Sequence, residues 1–160
     1  MKKSILICSL LLITCSLLFA QTADRIEQLL EQDSVSYAQA ALFVLEAAER
    51  LPPNTGASLQ AAFNTAIENN FLPKDVMSND TVNLMGLSLL VMKAFDMQGG
   101  LFYTLTKSQR HAYRELQRLD VVQGRTDPSL LVTGEMLLFI VNRILFVKPS
   151  EDSELQGYNR

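Results

Sequence analysis

The sequence has very few of the residues that build metal sites, disulfides or reactive thiols. Its two cysteines, Cys8 and Cys15, lie close to the N-terminus, and it contains a single histidine, His111. Without this N-terminal segment no thiol is left for a disulfide or a metal, and one histidine cannot complete a zinc site or activate a nucleophile within one chain. We therefore expect no metal, no cofactor and no catalytic residues, and a core that is held by packing.

A basic composition and strand-like alternation are also missing. The net charge is −3 and 48% of the 160 residues are hydrophobic, which is enough for one compact core. An excess of acidic residues argues against general binding to nucleic acid. We expect a single all-helical domain over residues 21–147, followed by a mobile polar tail at residues 148–160.

Residues 1–20 have the pattern of a secretory signal peptide. Lys2 and Lys3 precede an uninterrupted apolar run that ends at Ala20. We expect cleavage after Ala20, which changes the net charge from −3 to −5 and leaves a protein of the periplasm or cell envelope. The alternative is a lipoprotein, because the stretch Leu12–Cys15 resembles a lipobox. Membrane association is expected only if that cysteine carries a lipid.

The spacing of apolar residues in the remaining chain predicts helices of two kinds. Residues 57–69 and 108–119 place their apolar side chains on one face, as amphipathic helices do. A second kind has only a narrow polar stripe, which is typical of a helix in the middle of a bundle. These segments are residues 36–50, 83–96 and 133–147.

The helices recur at a spacing of about 50 residues. Val35-Ser36, Val82-Asn83 and Val132-Thr133 each place a good N-cap residue after a valine, and the joints 71–83 and 121–133 occupy matching places. The turn from Gly124 to Pro128 has too few glycines for a phosphate loop and too few carboxylates for a calcium loop, so we interpret it as structural. The repeats cover about residues 24–50, 57–96 and 107–147, and the first is truncated.

A repeat with this order of elements resembles the S-layer homology (SLH) domain, most clearly at residues 108–147. The resemblance implies three second helices packed as a central bundle, with the first helices and turns as outer prongs. SLH domains bind cell-wall polymers through a Thr-Arg-Ala-Glu signature, and the matching tetrads here, at 36–39, 83–86 and 133–136, keep the cap but lack the Arg and the Glu. The resemblance therefore implies the SLH-like pseudo-threefold arrangement and not the polymer site.

One surface is distinguished by its charge, since four cations recur every three or four residues along one helix face and a fifth lies in the next turn. Such a face suits an anionic glycan, a lipid headgroup or an acidic protein. The alternative interpretation is a solvated stripe that is partly paired with its own acids, with His111 as a solvated residue beside it. The candidate binding residues are Lys107, Arg110, Arg114, Arg118 and Arg125.

The sequence thus predicts a non-catalytic binding or scaffolding module that engages a cell-wall or envelope polymer, or an envelope protein, through a prong surface. Two alternatives stay open. A small glycan-acting envelope enzyme would use acids such as Glu135 and Asp127, and a carrier of a hydrophobic ligand would enclose an apolar cavity. The linker 99–105 either caps the bundle or exposes Phe102 and Tyr103 to a partner.

Overall fold

A computed structural model describes residues 24–51, 58–124 and 127–147 of the chain. The predicted signal peptide at residues 1–20, the predicted tail at 148–160 and the candidate residue Arg125 lie outside the described residues. The single domain predicted over residues 21–147 stays a prediction.

The chain divides into two compact units, one up to Gln32 and one from Asp33 onward. In the first unit residues 24–30 form a helix, α1. The described residues of the second unit contain six helices and no strand, only two isolated antiparallel bridges. The all-α prediction is confirmed. The six helices are α2 (Tyr37–Ala47), α3 (Leu59–Glu68), α4 (Leu84–Ala94), α5 (Leu101–Thr106), α6 (Gln109–Arg118) and α7 (Gly134–Val147).

The helices begin where a short polar side chain satisfies the first free backbone amides. Ser36 accepts a hydrogen bond from the amide of Gln39, whose side chain accepts one from the amide of Ser36, so the predicted capping box is confirmed. Asn83 and Thr133, the other two predicted caps, accept from the amides three residues later. Ser58 and Ser108 cap α3 and α6 in the same way.

Four of these helices end in the same way, and none of them uses glycine. The residue after each C-cap has a positive φ, and the next amide donates to a carbonyl five residues back, which is the Schellman motif. In α2, for example, Glu49 has φ 54° and the amide of Arg50 donates to the carbonyl of Leu45. The corresponding left-handed residues after α3, α4 and α6 are Asn70, Asp96 and Asp120.

The helices pack in a simple pattern. The apolar helix α2 contacts both α4 and α7, while the amphipathic helices α3 and α6 lie on α2 and α4, respectively. Nearly every apolar side chain of α2 and α4 is buried, as predicted from their narrow polar stripes. The core of this unit therefore lies around α2 and α4 and includes the faces of α3, α6 and α7 that pack on them.

Helix α7 departs from the prediction that all three apolar helices are buried. One side of α7, from Leu137 to Ile144, is buried, but Phe139, Leu145 and Phe146 are between 45% and 80% exposed. The reason is that α7 has apolar residues on more of its circumference than the other helices cover. A narrow polar stripe therefore does not by itself show that a helix is surrounded.

The starts of α2, α4 and α7 are joined by a closed ring of backbone hydrogen bonds. The amide of Val35 donates to the carbonyl of Val132, that of Val132 to Val82, and that of Val82 to Val35, at 2.9, 3.0 and 2.9 Å. All three valines are fully buried. The ring satisfies six backbone groups that would otherwise be buried without partners.

The left-handed turn at Glu49 gives the first prediction. A side chain with a Cβ is strained there, so Glu49→Gly should raise the free energy of unfolding by about 0.5–1 kcal/mol. Glu46→Gly, which places glycine inside α2, is the matched control and should lower it by about 1 kcal/mol. Urea denaturation measures both; destabilisation by Glu49→Gly would show that the turn is not left-handed.

Candidate functional site

Helix α6 is held against α4 by one apolar face. Ala112, Tyr113 and Leu116 are buried, and the hydroxyl of Ser108 accepts from the amide of His111 to cap the first turn. The spacing of these three residues leaves the opposite side of α6 free for polar side chains. The helix is therefore a fixed support for whatever its outer side presents.

The outer side of α6 carries the predicted cations. Arg110, Arg114 and Arg118 are exposed, and their spacing of four residues separates them by about 6 Å along the axis. Arg118 pairs with Glu115, with 2.9 Å between Nε and Oε2. Within the described part of the chain, Arg110 and Arg114 have no ion pair or hydrogen bond. Two of the three arginine charges are thus available to a partner.

Lys107 extends this row of charges from the preceding turn. It is the C-cap of α5, has φ 46°, and holds its Nζ 4.7 Å from the centre of the Tyr103 ring. Its side chain is exposed, so the ammonium can also meet solvent or a ligand. We call Lys107, Arg110, Arg114 and Arg118 the basic face.

In the predicted alignment of the repeats, α3 corresponds to α6, and it contains no lysine or arginine. The residues 50 positions before the three arginines are Gln60, Asn64 and Glu68. Gln60 donates to Asn64 with 2.9 Å between Nε2 and Oδ1, so this side presents two hydrogen-bonded amides and the carboxylate of Glu68, and no cation. The basic face is a property of α6 and not of the repeat in general.

Most of the linker 99–105 lies in α5, whose side chains point in different directions. Tyr103 is only 1% exposed, whereas Leu101, Phe102 and Leu105 are 78%, 69% and 80% exposed. Neither alternative describes the whole segment, since Phe102 is exposed whereas Tyr103 is buried. Close packing explains the burial, because a Cβ on Gly99 would lie 2.5 Å from the Tyr103 ring.

His111 is not simply a solvated residue of α6. It is half-buried, its ring stacks on Phe102 with 5.8 Å between ring centres, and its Nδ1 lies 2.8 Å from Oγ1 of Thr106 and 3.0 Å from Oγ of Ser108. These contacts tie the end of α5 to the start of α6. The sequence shows only the single histidine and not these partners.

Lys107 also belongs to a second group of charged side chains, whose other members, Lys93 and Asp96, were not predicted as site residues. Lys93, Asp96 and Lys107 line a recess of about 280 Å³ beside Tyr103. Burial and then the charge of Lys107 lower the pKa of Lys93, whose Nζ donates to the carbonyl of Asn70 at 2.6 Å. The sequence contains one indication of this contact, because Lys93 follows Asn70 by 23 residues. Arg143 follows Asp120 by the same number of residues and forms an ion pair of 3.0 Å with it.

An open apolar groove lies at the start of α7. It has a volume of about 240 Å³, and its lining includes Leu84, Val121, Met136 and Phe139. In the predicted alignment of the repeats, Tyr37 corresponds to Leu84, and Gly86 corresponds to Met136. The hydroxyl of Tyr37 lies so close to Gly86 that a Cβ on this glycine would be 2.5 Å from it. The tyrosine ring therefore fills space in one copy that leucine leaves open in the other.

The two acids considered for an enzyme differ in their surroundings. Glu135 lines the apolar groove and is exposed. Asp127 is not part of that lining; its Oδ1 accepts hydrogen bonds from the hydroxyl and the amide of Ser129, and these bonds lower the pKa of Asp127. The described residues place no second carboxylate in the groove opposite Glu135.

The interpretation of residues 124–128 as a structural turn agrees with the described part of this segment. Gly124 has φ 74°, and the amide of Leu130 donates to the carbonyl of Asp127. In the described ranges no three potential metal-ligating side chains come together. No helix of those ranges has the length and apolarity needed to cross a membrane.

The buried Tyr103 predicts a loss of stability at alkaline pH. Burial, and then the charge of Asp96, raises the pKa of Tyr103 to about 12 from the ordinary 10.0. The unfolded chain releases this proton first, so its contribution is fully present below pH 10 and is lost as the pH rises toward 12, by about 2 kcal/mol. Urea denaturation across that range should show a smaller loss in Tyr103→Phe; an equal loss in both proteins would contradict the assignment.

Comparisons of the chain with known protein families, curated proteins and solved structures found no match.

Proposed function

We propose that this protein is an exported, non-catalytic binding module of the periplasm or cell envelope, built on an SLH-like arrangement of three repeats. Its basic face on α6 engages an anionic envelope polymer or an acidic envelope protein. The single observation that carries the proposal is the pair Arg110 and Arg114, exposed and unpaired within the described residues, on a helix whose other side is fixed.

The ring of valines supports the proposed arrangement. Val35, Val82 and Val132 immediately precede the three N-caps, and each donates to one neighbour and accepts from the other. This cyclic pattern is what three equivalent repeats around a common axis would produce. The side-chain contacts that join Lys93 to Asn70 and Arg143 to Asp120 support equivalent second and third repeats.

The contacts of the helices fit the same proposal. In it α2, α4 and α7 form the central bundle, and α3 and α6 are the prong helices that lie on α2 and α4. Helix α7 is then the member of the bundle that is covered on one side only. Its exposed side contributes Phe139 to the apolar groove.

The charges of the basic face favour an anionic partner for a simple electrostatic reason. A row of cations on a rigid helix attracts a polymer with repeated negative charges, and it does not pay the entropic cost of ordering a loop. Pairing between Arg118 and Glu115 leaves the electrostatic attraction centred on Arg110 and Arg114.

One observation favours a second candidate function, the binding of a hydrophobic ligand. The groove at the start of α7 is lined mainly by apolar side chains and has a volume of about 240 Å³. That volume is below the usual range for a drug-sized ligand, so it suits a single side chain or a short acyl segment.

The experiment that tests the proposed function compares two variants of equal charge. Arg110→Gln with Arg114→Gln lowers the net charge by two on α6, and Gln60→Glu with Asn64→Glu lowers it by two on the matching side of α3. Binding is measured to separated polymer and protein fractions of the cell envelope. The α6 variant should bind about tenfold more weakly, roughly 0.7 kcal/mol for each exposed ion contact, and the α3 variant should retain most of the affinity.

Salt provides the second measurement. Binding of the wild type should weaken as the ionic strength rises, and the α6 variant should show a shallower dependence because it neutralises fewer charges. Equal affinities and equal salt dependence in the two variants would exclude the basic face as the binding surface.

A further inference from the structure

Three large apolar side chains stand out on the short helix α5. Leu101, Phe102 and Leu105, which we call the α5 patch, are each at least 69% exposed. Leu105 is four residues after Leu101 and three after Phe102, so all three side chains lie on one side of the helix. Exposed large apolar side chains that cluster in this way are a mark of an interaction site.

The α5 patch is held in place despite the shortness of its helix. Tyr103 buries its ring on the opposite side of α5, and Gly99 allows the close approach that this burial needs. At the other end the hydroxyl of Thr106 lies 2.8 Å from Nδ1 of His111. The patch is therefore presented by an anchored helix.

The α5 patch and the basic face are continuous. The Phe102 ring stacks on His111, and on α6 His111 lies next to Arg110 and one turn from Arg114. Lys107 connects the two helices, with its ammonium 4.7 Å from the centre of the Tyr103 ring. Apolar side chains and cations thus meet at one corner of the molecule.

We propose that the α5 patch inserts into the interfacial region of an anionic lipid bilayer while the basic face contacts the lipid headgroups. Proteins that lie on a membrane surface combine these two features, in which a few leucine and phenylalanine side chains enter the acyl boundary and lysine and arginine meet the phosphates. This inference rests on the basic face of the proposed function and assigns it a lipid partner. Docking of this kind needs no lipid on Cys15.

The size of the α5 patch favours a bilayer over a protein partner. Each side of an ordinary protein interface buries about 800 Å², which three side chains of a six-residue helix do not approach. Insertion into a bilayer needs only a few protruding side chains, and the charge of the neighbouring residues is complementary to anionic headgroups.

The experiment uses the absence of tryptophan from the sequence. Phe102→Trp places a single fluorophore in the α5 patch, and Phe146→Trp places one at the exposed end of α7 as the matched control. The probe is a phosphatidylcholine vesicle that contains phosphatidylglycerol, with pure phosphatidylcholine for comparison. The emission of Phe102→Trp should shift to the blue only with the anionic vesicles and be quenched by brominated acyl chains, and Phe146→Trp should not respond.

Two further variants measure the contribution of each part of the surface. Leu101→Ser with Leu105→Ser should lower partitioning into anionic vesicles at least about tenfold, whereas Leu145→Ser with Phe146→Ser on α7 should leave it unchanged. Arg110→Gln with Arg114→Gln should lower it about tenfold or more and reduce its dependence on salt. Circular dichroism confirms that each variant is folded.

The outcomes separate this inference from the proposed function. Vesicle binding without a shift of the Phe102→Trp emission overturns insertion and leaves attraction by charge alone. Absence of vesicle binding, with polymer or protein binding that depends on Arg110 and Arg114, overturns the lipid partner and leaves the proposed function standing. If the protein binds neither the polymer fraction, nor the protein fraction, nor the anionic vesicles, both the lipid partner and the proposed function are overturned. A dimer that the Leu101→Ser, Leu105→Ser variant converts to monomer, without vesicle binding, assigns the α5 patch to self-association.

Discussion

The arrangement of the second unit depends on the closed ring of hydrogen bonds between the backbones of Val35, Val82 and Val132. Each bond connects residues that are far apart in sequence, and together they fix the starts of α2, α4 and α7 at one level. Since the three valines are fully buried, an unmade bond would leave a backbone group without water or protein as a partner. The ring therefore penalises any shift of one helix start relative to the other two.

On this common frame the copies differ in what they present at the surface. Tyr37 fills the space above Gly86, whereas Leu84 and Met136 leave the matching space open as an apolar groove. Helix α3 has the amides of Gln60 and Asn64 where α6 has Arg110 and Arg114. In the three-repeat arrangement that we propose, the copies share a backbone pattern, and the different residues at matching positions give the binding surfaces.

The sequence predicts features that depend on local chemistry. The N-caps at Ser36, Asn83 and Thr133 were predictable because a short polar side chain before an apolar helix has one favourable position, and the outward direction of Arg110 and Arg114 follows from the apolar face of α6. Features that depend on contacts between distant residues were not predictable: the exposed side of α7, the burial of Tyr103 against Gly99, and the approach of Lys93 to Asn70. An apolar composition favours burial of a helix, but the number of helices that pack against it decides what fraction of its surface is buried.

Hydrogen exchange at the amides of Val35, Val82 and Val132 tests the central claim most directly. If the ring holds the three helix starts together, all three amides exchange only when the second unit unfolds, with the same free energy as global unfolding and the same dependence on denaturant. Exchange of any one of them through a local opening of much lower free energy, while the other two stay protected, would show that the ring is not closed in solution and would contradict the account.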